Sequence, residues 1–175
     1  CSVETVRGSR FSDVSVATGF NGASADLPNG TAFNEFEGMG GDDPITGNGN
    51  TRISYISATA GVTVDLAAGT ATGNESVGTD TFTGVSRVRG SNFNDAILGD
   101  ANNNVIDGRS VNDVLDGRGG NDTLTGGTGS DQFFYSAGTD VVTDFDQSGG
   151  SFNHAEGDVI KLVGSGITNW AQLQS

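Results

Sequence analysis

Six residues at nine-residue intervals share one chemical character: Asp95, Asn104, Asp113, Asp122, Asp131 and Asp140. Two positions after each stands an apolar residue, in order Ile97, Ile106, Leu115, Leu124, Phe133 and Val142. The residues between them are rich in glycine. Carboxylates in glycine-rich turns, beside main-chain carbonyls, suit the ligation of a hard cation. Calcium accepts about six to eight oxygens in loose geometry, carbonyl oxygens included. Carboxylates stacked one strand spacing apart repel each other unless a cation lies between them.

These side chains need a scaffold that repeats with them. Written in nines from Gly90, the rows are GSNFNDAIL, GDANNNVID, GRSVNDVLD, GRGGNDTLT, GGTGSDQFF and YSAGTDVVT. The first six residues of a row make a tight turn, because glycine supplies backbone conformations with positive φ. The last three make a short strand whose central apolar residue points inward. One row cannot bury that residue alone, so rows stack. Two rows with opposed strands make one flattened coil, and each row lies beside the row 18 residues on. Asp95, Asp113 and Asp131 then line one edge, and Asn104, Asp122 and Asp140 the other. Ile97, Leu115 and Phe133 face inward from one sheet; Ile106, Leu124 and Val142 face inward from the other. The expected fold is all-β: a right-handed parallel β-roll, or β-solenoid, of nine-residue rows with irregular spacer coils and a C-terminal cap.

Composition agrees with a thin, turn-rich interior. The 175 residues include 29 Gly and only 2 Pro. The net charge is −14, from 22 acids against 8 bases, and 17 of the acids are Asp, which favours turns and hard-cation sites over surface helices. Such a charge argues against nucleic acid and anionic membranes as partners. No apolar run reaches the roughly 18 residues of a transmembrane helix. The single cysteine, Cys1, forms no internal disulfide. Cys1-Ser2 reads as a fragment boundary or as the lipidated start of a mature chain.

Residues 126–134, Gly-Gly-Thr-Gly-Ser-Asp-Gln-Phe-Phe, carry G-G-x-G-x-D-x-U-x at every fixed position. The rows resemble the RTX (repeats-in-toxin) family of secreted calcium-binding proteins. The likeness is strongest in rows 117 and 126. It is looser in rows 90 and 108, where Phe93 and Val111 replace the fourth-column glycine, in row 99, which has Asn104, and in row 135, which loses both leading glycines. The resemblance implies calcium ions shared between turns of neighbouring coils, held by the motif aspartates and by loop carbonyls such as those of Gly117, Gly120, Gly126 and Gly129. The leading gaps are Asp113/Asp131 and Asp122/Asp140; Asp95/Asp113 and Asn104/Asp122 come second.

Outside the regular rows of 90–143, four segments are expected. Residues 1–28 read as the tail of a preceding unit, since Val6-Arg7-Gly8-Ser9-Arg10-Phe11-Ser12-Asp13 matches residues 88–95 at six of eight positions. Residues 29–56 hold shorter rows. There Asp43 is a further candidate ligand, Pro44 suggests weak strand pairing, and Arg52 falls in the aspartate column. Residues 57–89 break the nine-residue period and read as irregular spacer coils, with a separate β-domain as the alternative. Residues 144–175 read as a cap, with Asp144-Phe145-Asp146, the strand Gly157–Leu162, and Trp170 in a closing segment.

No catalytic constellation is present. The lone His154 has no zinc-type partner spacing, and there is no nucleophile elbow or Walker loop. Two functional readings follow. One is a calcium-binding structural segment of a secreted or cell-surface adhesin, matrix or fibre protein, with self-association or surface contacts as partners. The other is the C-terminal folding and secretion module of an exported protease or lipase whose catalytic domain lies outside these residues. Ice binding, suggested by Thr128, fails for want of a repeated threonine array.

Overall fold

The computed structural model describes residues 5–17, 34–145 and 157–162. Cys1, Asp146, His154 and Trp170 lie outside the described residues, and with them most of the expected cap. Among the described residues there is no helix, hence none long and apolar enough to cross a membrane. Fourteen strands form one continuous hydrogen-bonded sheet. In chain order they are β1 (Thr5–Arg7), β2 (Ser15–Val16), β3 (Asn34–Glu37), β4 (Pro44–Ser54), β5 (Thr63–Asp65), β6 (Thr70–Thr72) and β7 (Thr79–Arg89). Then follow β8 (Ala96–Leu98), β9 (Val105–Ser110), β10 (Val114–Asp116), β11 (Thr123–Thr128), β12 (Gln132–Tyr135), β13 (Val141–Val142) and β14 (Val159–Leu162).

The strands fall into two ladders. β2, the start of β4, the start of β7, β6, β5, β8, β10, β12 and β14 make the first. The second is β1, β3, the end of β4, the end of β7, β9, β11 and β13. β4 and β7 belong to both, because each is 11 residues long and turns a corner midway, where their mutual register shifts.

In the regular rows all pairing is parallel and offset by 18 residues. Leu115 stands opposite Ile97 and Phe133, and Leu124 opposite Ile106 and Val142. That is the offset required if two rows make one coil. The inward column of the first ladder includes Val64, Ile97, Leu115 and Phe133; that of the second includes Ile53, Val88, Ile106 and Leu124. None of these eight is more than 1% exposed. Burying such a side chain fully is worth about 1.5–3 kcal/mol.

The spacer is where regularity breaks. β5 and β6 form an antiparallel hairpin, and β6 runs antiparallel to β7 as well, so the sheet is mostly rather than wholly parallel. The reversal is made by Ala67-Ala68-Gly69, in which Gly69 adopts a φ of +67° and Asp65 Oδ1 accepts the Ala68 N–H at 3.0 Å. Val62 enters the ladder beside Ala96, so the regular rows grow directly from the spacer. Pro44 does not weaken pairing. It opens β4 in register with Thr81, and the nearby N–H of Thr81 donates to the carbonyl of Asp43 instead. The missing donor costs nothing at the first residue of a strand.

Candidate metal centre

The column-six residues meet along the roll edges through their carboxylates. Each aspartate Oδ1 accepts a main-chain N–H from one coil earlier, whereas Asn104 Oδ1 accepts the Asp100 N–H of its own turn. On the edge leading into the first ladder, Val62 N donates to Asp95 at 2.8 Å, Asp95 N to Asp113 at 2.8 Å, Asp113 N to Asp131 at 2.8 Å, and Asp131 N to Asp158 at 2.9 Å. On the opposite edge Asn104 N donates to Asp122 at 2.8 Å and Asp122 N to Asp140 at 3.0 Å. In the opposite sense, Asn112 N and Ser130 N donate to the side-chain Oδ1 of Asn94 and Asn112 one coil earlier.

The same ladder reappears upstream. Asp13 N donates to Asp43 Oδ1 at 2.7 Å, and Asp43 N to Asp80 Oδ1 at 3.1 Å. Asp80 Oδ2 takes the hydroxyl of the buried Tyr55 at 3.1 Å. Asp13, Asp80 and Asp158 are the ladder members that sequence reasoning missed. The signal was present: Asp13 aligns with Asp95, and Gly78-Thr79-Asp80-Thr81-Phe82 is the tail of a motif row. Arg52, by contrast, stays in β4 and pairs with Glu35, so it takes no place in the carboxylate ladder.

The second carboxylate oxygen separates the turns. Asp43, Asp113, Asp122 and Asp131 are each about 1% exposed, and the Oδ2 of each is buried without a hydrogen-bond partner. A buried, unpaired carboxylate oxygen is costly. Accordingly burial first, and neighbouring carboxylates after it, push Asp113 up to about 8. Burial pushes Asp122 and Asp131 up to about 6, and raises Asp43 as well.

Leading glycines make room for these oxygens. A side chain on Gly38, Gly108, Gly117 or Gly126 would overlap the Oδ2 of the aspartate five residues on. Beside Gly108, the Gly126 carbonyl of the next coil lies 2.9 Å from the same point. The side-chain oxygen and the carbonyl of the next coil thus converge beside the leading glycine, as they also do beside Gly90 in the Asp95 turn, so it is the unpartnered Oδ2 and not this spacing that distinguishes the open turns. Carbonyls elsewhere in the turns stack coil over coil: Gly117 over Gly99, Gly120 over Gly138, and Val111 over Gly129.

Among the described residues no three acidic, imidazole or thiol side chains converge. A site here therefore offers at most two carboxylates and draws its remaining donors from carbonyls. That donor set suits calcium and not zinc.

Two overlapping stretches, residues 80–115 and 107–142, each match the family described as RTX calcium-binding nonapeptide repeat (4 copies). No curated protein matches the chain. The repeats mark a calcium-binding segment of a kind typical of secreted bacterial proteins. The matched stretch begins at Asp80, which the ladder also includes, and leaves the Asp43 turn outside it.

Proposed function

We propose that this chain is a calcium-dependent structural segment of a secreted, extracellular or cell-surface bacterial protein such as an adhesin, matrix or fibre protein. It acts as a scaffold and not as an enzyme. It is wound as a right-handed β-roll, and β14 caps the open end. The observation that carries the reading is the set of buried, unpartnered oxygens on Asp43, Asp113, Asp122 and Asp131. Calcium held by these aspartates and turn carbonyls supplies the positive charge that the interior lacks. Asp113 with Asp131 and Asp122 with Asp140 border the two central gaps; Asp95 and Asn104 adjoin them.

The aspartates repel along each edge, and the glycine turns lose much entropy on ordering. Apolar burial per coil is small, so the rows with open carboxylates are unstable until the charge is neutralised. Folding and calcium binding are then linked by mass action. Those rows stay unfolded in a low-calcium cytosol and fold outside, with a midpoint of about 10⁻⁴–10⁻³ M, the range of extracellular calcium modules. Calcium titration followed by circular dichroism tests this. The expected result is a steep rise in β-signal; full β-structure in chelator would refute it.

A further inference from the structure

Seven of the turns are of two kinds, and their second residue separates them; the Asp140 turn, where Ser136 Oγ donates to the Arg118 carbonyl at 2.5 Å, belongs to neither. In the four turns with an open carboxylate, that residue is left-handed: Met39 at φ 73°, Arg109 at 85°, Arg118 at 63° and Gly127 at 99°. Its N–H is not used by the turn's own aspartate. Arg118 N donates to Asp116 Oδ1 at 2.8 Å, and Gly127 N to Asp144 Oδ2 at 2.6 Å.

In three other turns the second residue is not left-handed, and its N–H closes on the column-six side chain. Ser9 N donates to Asp13 Oδ2 at 2.5 Å, Ser91 N to Asp95 Oδ2 at 2.6 Å, and Asp100 N to Asn104 Oδ1 at 2.8 Å. Side chains complete the closure. Ser91 Oγ donates to Asp95 Oδ1 at 2.7 Å and accepts from Phe93 N at 3.0 Å, Ser9 Oγ donates to Asp13 Oδ2 at 2.9 Å, and Asn104 Nδ2 donates to Asp100 Oδ1 at 3.1 Å. Ser91 is fully buried.

We infer that in these seven turns the second residue decides whether the turn takes calcium. A left-handed residue leaves the carboxylate open to a cation; serine or aspartate closes it with hydrogen bonds and makes the turn metal-free. The assignment rests on the calcium reading above and refines it. The Asp43, Asp113, Asp122 and Asp131 turns take ions, whereas the Asp13, Asp95 and Asn104 turns do not. The Asp95/Asp113 and Asn104/Asp122 gaps, second choices by sequence, are thereby closed. Ser9 and Ser91 stand where a cation otherwise would, which gives the shared Gly-Ser-x-Phe-x-Asp segments a physical meaning.

The test is the number of bound calcium ions on the full chain, counted by native mass spectrometry, with circular dichroism to report the fold. Ser91→Gly removes the hydroxyl bond to Asp95 Oδ1 and lets the backbone turn left-handed, which withdraws the N–H from Oδ2, so it should bind one ion more than the wild type. Arg109→Ser installs the closure on Asp113 and should bind one fewer; the Arg109 Nη1 it removes has no partner to strand. Equal counts in the wild type and both variants overturn the inference while leaving calcium binding intact. A Ser91→Gly chain that stays unfolded in saturating calcium also overturns it, since calcium should replace the hydroxyl. A wild type that binds no calcium refutes the underlying reading instead.

Discussion

Gly117→Ala tests the carboxylate ladder with one methyl group. Gly117 needs no unusual backbone conformation, so the substitution carries no φ penalty. The added carbon would overlap Asp122 Oδ2 and lie 2.7 Å from its Cγ. The Asp122 side chain must swing away, which pulls Oδ1 off the Asn104 N–H at 2.8 Å. A hydrogen bond to a charged group is worth about 1.5–3 kcal/mol. If folding is coupled to the four open turns, a loss of that size raises the calcium midpoint about two- to fourfold by mass action. Loss of the displaced ligand adds to the shift and flattens the transition. Gly119→Ala, in the same turn, is the control. Its methyl would come no closer than 3.7 Å to a neighbour and also meets no φ penalty. By narrowing the unfolded ensemble it should leave the midpoint unchanged or lower it slightly. Calcium titrations of both variants by circular dichroism give the comparison. Equal midpoints would mean that the Asp122 carboxylate is not what the metal-linked fold depends on.

Other outcomes follow from the same geometry. Leu124→Asp, at a site 1% exposed between Ile106 and Val142, should abolish the calcium-induced rise in β-signal even in saturating calcium, because it buries a charge between the sheets; a native spectrum would refute the register. In chelator, acid should partly substitute for calcium. Asp113 at about 8 and Asp122 and Asp131 at about 6 lie above the unfolded value of about 3.9. The stability tied to their protonated forms is complete below that unfolded value and is lost as pH rises towards about 8. β-Signal in chelator should therefore fall between about pH 4 and 8; a rise over that window would contradict the burial of these groups. Asp65, held low by its hydrogen bonds from Arg118 at 2.8 Å, has the opposite sign, but as a partly exposed pair it is worth only about 0.2–1 kcal/mol. Asp65→Asn should therefore shift thermal stability little.

What the sequence disclosed and what it hid divide along physical lines. The period of nine set which residues turn inward, and the inward columns of Ile97, Leu115 and Phe133 and of Ile106 and Leu124 are those that the motif places two residues after each aspartate. A strict repeat constrains register, because a one-residue slip would turn each buried side chain outward. The spacer has no such repeat. Nothing in Val62–Asp65 or Thr70–Thr72 distinguishes a strand that pairs parallel from one that doubles back, and the hairpin depends on one left-handed glycine, Gly69. The open and closed turns were hidden for a subtler reason. Val111, Arg109, Arg118 and Met39 look like departures from the glycine pattern, yet each keeps the left-handed backbone that glycine would have adopted. The coil above and below imposes that conformation, which costs a non-glycine residue about 1–2 kcal/mol, and residue type alone does not reveal it.

The two kinds of turn also divide the molecule into parts that differ in their need for metal. From Thr51 to Asp107 the stack consists of the second half of β4, the hairpin, β7, β8 and β9. It holds the larger part of the buried apolar cluster, including Ile53, Tyr55, Val62, Val64, Val77, Phe82, Val88, Ile97 and Ile106. Its column-six residues, Asp80, Asp95 and Asn104, all have side-chain oxygens engaged by protein hydrogen bonds. Beyond Gly108, each coil brings one large apolar residue per ladder and a carboxylate with an open oxygen. Local stability should therefore fall steeply at that point when calcium is withdrawn. Hydrogen exchange at neutral pH in chelator should show protected amides in residues 51–107 and fast exchange in 108–143. On adding calcium, protection should spread into 108–143 with the same midpoint as the circular dichroism signal. Exchange that is uniformly fast across 51–143 without calcium would show that the spacer is no template. Protection extending through Leu124 in chelator would show that the open carboxylates do not limit folding.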